Sequence, residues 1–171
     1  HSLLLINYRG YGNSSGKPSE KNLLNDALAI FDTFKKDQDI KGDEIILMGR
    51  SLGTSVATYV AANRDIKAII LVTPFDNLVH IAQNYYPVFP IAWLLKHQFR
   101  SDELAPKINI PMLALLAEND QIIPNENSMN LVKKWGGSKI QKVIINADHN
   151  SISVYKSYWI ELNTFLLDHS N

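Results

Sequence analysis

Residues 44–62 read EIILMGRSLGTSVATYVAA: an apolar run, then a serine bracketed by two glycines, then an Ala- and Val-rich stretch. The run Glu44 to Met48 does not alternate with polar residues, which is the pattern of a short strand buried on both faces. Val56, Ala57, Val60 and Ala61 recur at helical spacing, so the run from Thr54 to Ala62 is expected to be a helix. Gly49-Arg50-Ser51-Leu52-Gly53 must then make a sharp strand-to-helix turn. Glycines in such a turn allow a strained backbone and close helix packing, and the helix N-terminus favours developing negative charge. Ser51 is therefore the candidate nucleophile, with Gly49 and Gly53 shaping its turn, while Arg50 reads as a rim charge.

The same spacing occurs at Gly12-Asn13-Ser14-Ser15-Gly16, so the bare pattern decides nothing. Ser14 is flanked by Tyr11 and Gly12 on one side and by Gly16-Lys17-Pro18 on the other, a loop composition, with the next helix delayed until about Glu20. Context thus favours Ser51.

Outward from this unit, Leu3 to Asn7, Ala68 to Val72, Met112 to Leu116 and Lys142 to Ile145 are also strand candidates. Helical spacing appears in Leu23 to Phe34, in Met129 to Trp135 and from Ser153 to about Leu167. Strand alternating with helix predicts an α/β fold, a mostly parallel sheet with helices on both faces. Right-handed crossovers would bring every strand's C-terminal end to one edge, where ligands bind in such folds. The stretch from Pro74 to Ile110 has no convincing strand and carries Tyr85, Tyr86, Phe89, Trp93 and Phe99 among several prolines. It reads as a cap-like insertion over about 75–110, with its aromatics packed onto the body or forming an apolar wall for an acyl or aryl group. The whole of 1–171 reads as a single domain.

With 171 residues the chain can bury roughly 70% of the surface its unfolded form exposes. Its 17 basic and 17 acidic residues cancel, leaving no net field that would draw nucleic acid or an anionic membrane and pointing to a small-molecule partner. There is no cysteine, which excludes disulfides, thiolate metal sites and a cysteine nucleophile. The longest apolar run, Pro87 to Leu95, is far short of the roughly 20 residues that span a bilayer. The start, His1-Ser2 leading straight into Leu3 to Ile6, reads as a cut, with any leader or anchor lying upstream.

A serine hydroxyl needs a base to take its proton and an acid to orient that base. Among the histidines, His1 and His169 are terminal and His80 and His97 fall in the insertion. His149 follows a strand by four residues, at the expected ligand-binding edge. Asp120, just after the strand Met112 to Leu116, is the candidate acid and gives the chain order Ser, Asp, His. Asp76, after the preceding strand, is the alternative acid, and Asp148 is expected to point elsewhere. No cofactor is called for, and no cluster at metal-ligand spacing or phosphate-binding glycine loop is present.

Taken together, Asn7-Tyr8-Arg9-Gly10-Tyr11-Gly12-Asn13-Ser14-Ser15-Gly16, Gly49-Arg50-Ser51-Leu52-Gly53-Thr54, the Asp120 turn ending in Ile123-Pro124, and His149 resemble the Bem-type branch of the α/β-hydrolases, related to the prolyl oligopeptidase group. The resemblance runs end to end and implies an intracellular, cytoplasmic or membrane-tethered serine hydrolase that cleaves a carboxylic ester, thioester or amide of a small acyl substrate through an acyl-enzyme on Ser51, most readily an ester. It also implies that several strands and a His-Gly loop precede the equivalent of Leu3, so that 1–171 is an N-terminally incomplete domain. That loop usually supplies one of two oxyanion donors, which leaves the backbone N–H of Leu52 as the motif-matched one. Two further expectations result: self-association through exposed strand edges, and, as an alternative function, a catalytically impaired or partner-binding remnant.

Overall fold

The computed structural model describes residues 2–170. Four strands, β1 (Ile46–Arg50), β2 (Ala68–Val72), β3 (Met112–Ala117) and β4 (Lys139–Ile144), form one parallel sheet in chain order. Helices α1 (Glu20–Asp37), α2 (Leu52–Asn63), α3 (Leu78–Tyr85), α4 (Ile91–Leu94), α5 (Ser101–Leu104), α6 (Asn125–Lys134) and α7 (Lys156–Asp168) alternate with them. This is the expected α/β fold, with strand ends converging on one edge.

The unalternating strands are explained by burial on both faces. In β2 and β3, Ile69, Leu71, Met112, Ala114 and Leu116 pack against α1, α2 and α6, through Phe31, Ala57, Val60 and Leu131 among others. The intervening residues Ala68, Ile70, Val72, Leu113 and Leu115 meet Tyr158, Leu162 and Phe165 of α7 on the opposite face. Each fully buried aliphatic side chain there contributes about 1.5–3 kcal/mol. A third cluster, Leu23, Val56, Phe75, Phe99 and Ile123, includes residues that follow the C-terminal ends of β2 and β3. At the start of α1, Ser19 Oγ accepts from the Asn22 N–H at 3.2 Å, a cap contributing about 1 kcal/mol.

Two sequence expectations are corrected. Leu3 to Asn7 is not a strand: the segment has no ladder partner and its side chains are exposed. A strand exists by pairing, and a cleft of about 1130 Å³ separates this segment from β1 and α1. The insertion's aromatics, expected either to pack on the body or to form an apolar wall, mostly do not pack on it. Phe99 is buried, but Tyr85, Tyr86, Phe89 and Trp93 are exposed.

The odd-numbered positions around β1 bond to β2, as Lys67 N–H to Ile45 O and Ser51 N–H to Val72 O illustrate. The backbone groups of Ile46, Met48 and Arg50 therefore face the cleft. We propose that this edge drives the expected self-association. Sedimentation velocity across a wide concentration range is expected to show association that weakens in Met48→Lys. A concentration-independent monomer would contradict it. Among the described residues, no helix is long and apolar enough to cross a membrane.

Candidate active site

Ser51 sits between β1 and α2 with φ 51° and ψ −123°. A non-glycine residue held there carries about 1–3 kcal/mol of strain, which the surroundings must over-determine. They do so through the backbone. The Ser51 N–H donates to Val72 O at 2.9 Å, and its carbonyl accepts from the Thr54 N–H at 2.9 Å and from Thr54 Oγ1 at 2.6 Å. Its hydroxyl makes no cap hydrogen bond and remains free for other work.

The two glycines of the turn differ in how strictly they are required: Gly49 faces backbone and Gly53 a side-chain tip. A Cβ on Gly49 would lie 2.6 Å from the Gly53 carbonyl carbon and 2.8 Å from Thr54 Cα, backbone atoms that cannot yield without moving α2. A Cβ on Gly53 would meet the Tyr8 hydroxyl at 3.2 Å. Burial pushes the Tyr8 phenol above its ordinary pKa. The Leu52 N–H belongs to the first turn of α2, where backbone donors have no intrahelical partner and point at whatever sits before the helix.

The loops after β3 and β4 bring the other groups to Ser51. His149 Nδ1 donates to Asp120 Oδ2 at 2.8 Å, and the Ser51 hydroxyl donates to His149 Nε2 at 3.1 Å. A carboxylate only accepts, which assigns this tautomer. The His149 side chain is 9% exposed and that of Asp120 2%, so the chain of bonds is shielded from water. Asp120 divides its oxygens between two tasks. Oδ1 accepts from the Ile122 and Ile123 N–H groups at 3.0 and 2.8 Å, fixing its own turn, and Oδ2 is left for the imidazole. The two loops are also stitched together: the Asn119 N–H donates to Ala147 O at 2.8 Å, and the Asn146 N–H to Glu118 Oε2 at 2.8 Å. Asn146 lies at φ 61°, a conformation asparagine tolerates better than most residues.

The remaining candidates stand elsewhere. Asp76 is buried, but its Oδ1 accepts from the Asn77 N–H and Asn127 Nδ2, and its Oδ2 from His80 Nδ1 at 2.6 Å. Its carboxylate is occupied away from His149. Asp148 turns back on its own loop, where the Ser151 and Asn150 N–H groups hold its carboxyl below the usual range. His97 Nδ1 accepts from the Glu20 N–H, His169 Nδ1 donates to Phe165 O, and His1 lies outside the described residues. Ser14 lies in the loop before α1 and not at the end of a strand. Among the described residues, no group of three or more His, Asp or Glu side chains could hold a metal ion.

Arg50 is the residue sequence reasoning underrated. Its Nη2 donates to the backbone carbonyls of His149 at 2.7 Å and Asn150 at 3.2 Å, so the residue before Ser51 clamps the loop that carries the base. The partners are 99 and 100 positions away, and a backbone acceptor leaves no residue signature, so no local signal could have revealed the contact.

A sequence model described as alpha/beta hydrolase fold matches residues 1–91. An uncharacterized protein of Mycobacterium tuberculosis is 34% identical over 149 residues, covering 87% of this chain and 53% of the relative. An alpha/beta hydrolase domain-containing protein of Caenorhabditis elegans is 30% identical over 159 residues, covering 93% of this chain and 47% of the relative. The chain thus spans about half the length of these curated relatives. In fold it resembles an alpha-beta hydrolase crystal structure from Vibrio vulnificus, with TM-score 0.73, 22% identity, and coverage of 92% of this chain and 61% of that one. It also resembles an acetyl xylan esterase from Paenibacillus, with TM-score 0.68, 14% identity, and coverage of 85% and 52%.

Proposed function

This chain belongs to the alpha/beta hydrolase family, and from the site it carries we propose that it is a serine hydrolase acting on carboxylic esters through an acyl-enzyme on Ser51. One observation carries the reading: the unbroken hydrogen-bonded chain from Asp120 through His149 to Ser51 at the C-terminal edge of the sheet. In this reading Ser51 Oγ attacks the ester carbonyl while His149 Nε2 takes its proton. Asp120 holds the imidazole's orientation and stabilises the imidazolium that forms. The tetrahedral oxyanion faces the Leu52 N–H. The proton on Nε2 then passes to the departing alcohol oxygen as the ester bond breaks. Water, activated by the same nitrogen, attacks the acyl-enzyme, releases the acid and restores Ser51.

The oxyanion hole sets the rate. The Leu52 N–H is the donor that the turn itself supplies, and a donor of this kind contributes about a hundred- to thousandfold in turnover. An activated ester has a good leaving group, which speeds acylation and leaves deacylation as the slower step. A p-nitrophenyl acetate assay is expected to release a burst of nitrophenolate, about one equivalent per chain if deacylation limits turnover, followed by slower steady turnover. A burst with no turnover beyond it would support the impaired alternative. Absence of both the burst and the steady turnover would contradict the proposal. The esterase activity in the name of the Paenibacillus neighbour is consistent with ester chemistry on this fold.

Arg50 is expected to act as a positioning residue in this reaction. Removing a charged donor to two carbonyls should loosen the His149 loop, and Arg50→Gln is expected to lower kcat by about tenfold to a hundredfold with little change in KM. Arg50→Lys should recover part of the loss by keeping a cation in reach. Steady-state kinetics beside a thermal melt check this. An unchanged kcat in Arg50→Gln would contradict it.

A further inference from the structure

The turn that carries His149 is also fastened at a point away from the reacting atoms. Asn146, three residues before the base, lies at φ 61°, the left-handed region in which a non-glycine residue stays only if its surroundings hold it. Both of its backbone polar groups are held by side chains. Its N–H donates to Glu118 Oε2 at 2.8 Å, and its carbonyl accepts from Tyr155 Oη at 2.7 Å. The three residues come from three places: Glu118 from the loop after β3, Asn146 from the loop after β4, and Tyr155 from the start of α7.

Glu118 is itself a fixed anchor. Its N–H continues the sheet by donating to Ile144 O at 3.1 Å, and Asn125 Nδ2 donates to the carbonyls of Ala117 and Glu118, both at 3.1 Å. Two positions further on, Asp120 Oδ2 accepts from His149 Nδ1. One side chain thus ties the strand end that carries the acid to the turn that carries the base. Beyond Asn146 the turn closes on itself. Ser151 Oγ accepts from the Asp148 N–H, and Asp148 Oδ1 accepts from the Asn150 and Ser151 N–H groups. A turn braced in this way moves as a unit, so its seating on the β3 loop decides where the imidazole stands.

Glu118 and Asn146 are exposed, and an exposed hydrogen bond competes with water. The contact therefore adds little to stability. Its value is positional, since a misplacement of about 1 Å at a reacting group costs on the order of a hundredfold in rate. A carboxylate suits the task, because it only accepts and binds an N–H more strongly than a neutral acceptor does.

We propose that Glu118, with Tyr155 on the Asn146 carbonyl, is a positioning residue that sets the Asp120–His149 geometry for the reaction at Ser51. The proposal rests on the serine hydrolase reading, and two readouts keep the two apart.

The test compares Glu118→Ala, Glu118→Gln and Tyr155→Phe with the parent. Glu118→Ala is expected to lower kcat by about tenfold, less than the full penalty for misplacement because the Asn119 and Arg50 contacts remain. KM and the melting temperature should stay near the parent's. Tyr155→Phe should act in the same direction, and Glu118→Gln should recover most of the loss, because its amide oxygen accepts the same N–H. The second readout needs no turnover. The His149 Nδ1 proton shared with Asp120 is expected to give a low-field proton resonance, assigned by its absence from His149→Ala. It should persist in Glu118→Gln and broaden by exchange with water in Glu118→Ala. A parent that shows this resonance but hydrolyses no ester would sink the serine hydrolase reading alone, and the resonance in Glu118→Ala would still decide the role of Glu118. The proposal is overturned if Glu118→Ala keeps the parent's kcat and resonance, if Glu118→Gln falls as far as Glu118→Ala, or if kcat falls only together with the melting temperature.

Discussion

Replacing Ser51 by alanine is expected to lower turnover of an activated ester by on the order of 10⁴- to 10⁶-fold, the loss that follows when an acyl-transfer nucleophile is removed from a residue set acting as a unit. The substitution removes one oxygen and leaves the turn in place, because the turn is held by the Ser51 backbone and by Thr54. The melting temperature should therefore stay near that of the parent or rise slightly, as alanine loses only the hydrogen bond to His149. A variant that hydrolyses at the parent's rate would remove Ser51 from the mechanism. The same experiment on Ser14→Ala should leave activity intact, since Ser14 lies in a loop before α1 and not at a strand end.

The second large effect separates the two candidate acids. Asp120→Asn is expected to lower kcat by about 10³- to 10⁴-fold, because an amide can present N–H to His149 Nδ1 and stabilise the wrong tautomer without changing the side chain's shape. Asp76→Asn should behave differently. Asp76 bonds to Asn77, Asn127 and His80, and its loss should lower the melting temperature while kcat stays near the parent value. Kinetics and thermal melts on both variants check the assignment. Loss of kcat in Asp76→Asn with retention in Asp120→Asn would reverse it.

The comparison of these acids shows where sequence reading stops. Both aspartates follow a buried strand and both reach the same edge, so chain position could rank them but not decide. What decides is the tertiary surroundings, in which Asn127 and His80 claim Asp76 while His149 claims Asp120. The elbow, by contrast, was legible because its requirement is local. Gly49 must lack a Cβ where β1 meets α2, and the strand and helix that impose this stand on either side in sequence. β2 and β3 were legible for a related reason, since burial on both faces removes every polar residue from the run.

Leu3 to Asn7 has the same apolar composition and still forms no strand. Composition records a residue's preference for burial and pairing, and cannot record whether a neighbour is there to pair with. Arg50 and the exposed end of the insertion were illegible for complementary reasons. The first acts on backbone atoms far along the chain, and the second keeps large apolar side chains outward where packing was expected.

The central claim is that Ser51 is the nucleophile, activated by His149. Its most direct test is to incubate the chain with a fluorophosphonate probe and locate the adduct by peptide mass spectrometry. A single adduct on Ser51, absent from Ser51→Ala and strongly slowed in His149→Ala, is the predicted result. An adduct on Ser14 or another side chain, or labelling that persists in Ser51→Ala, would contradict it.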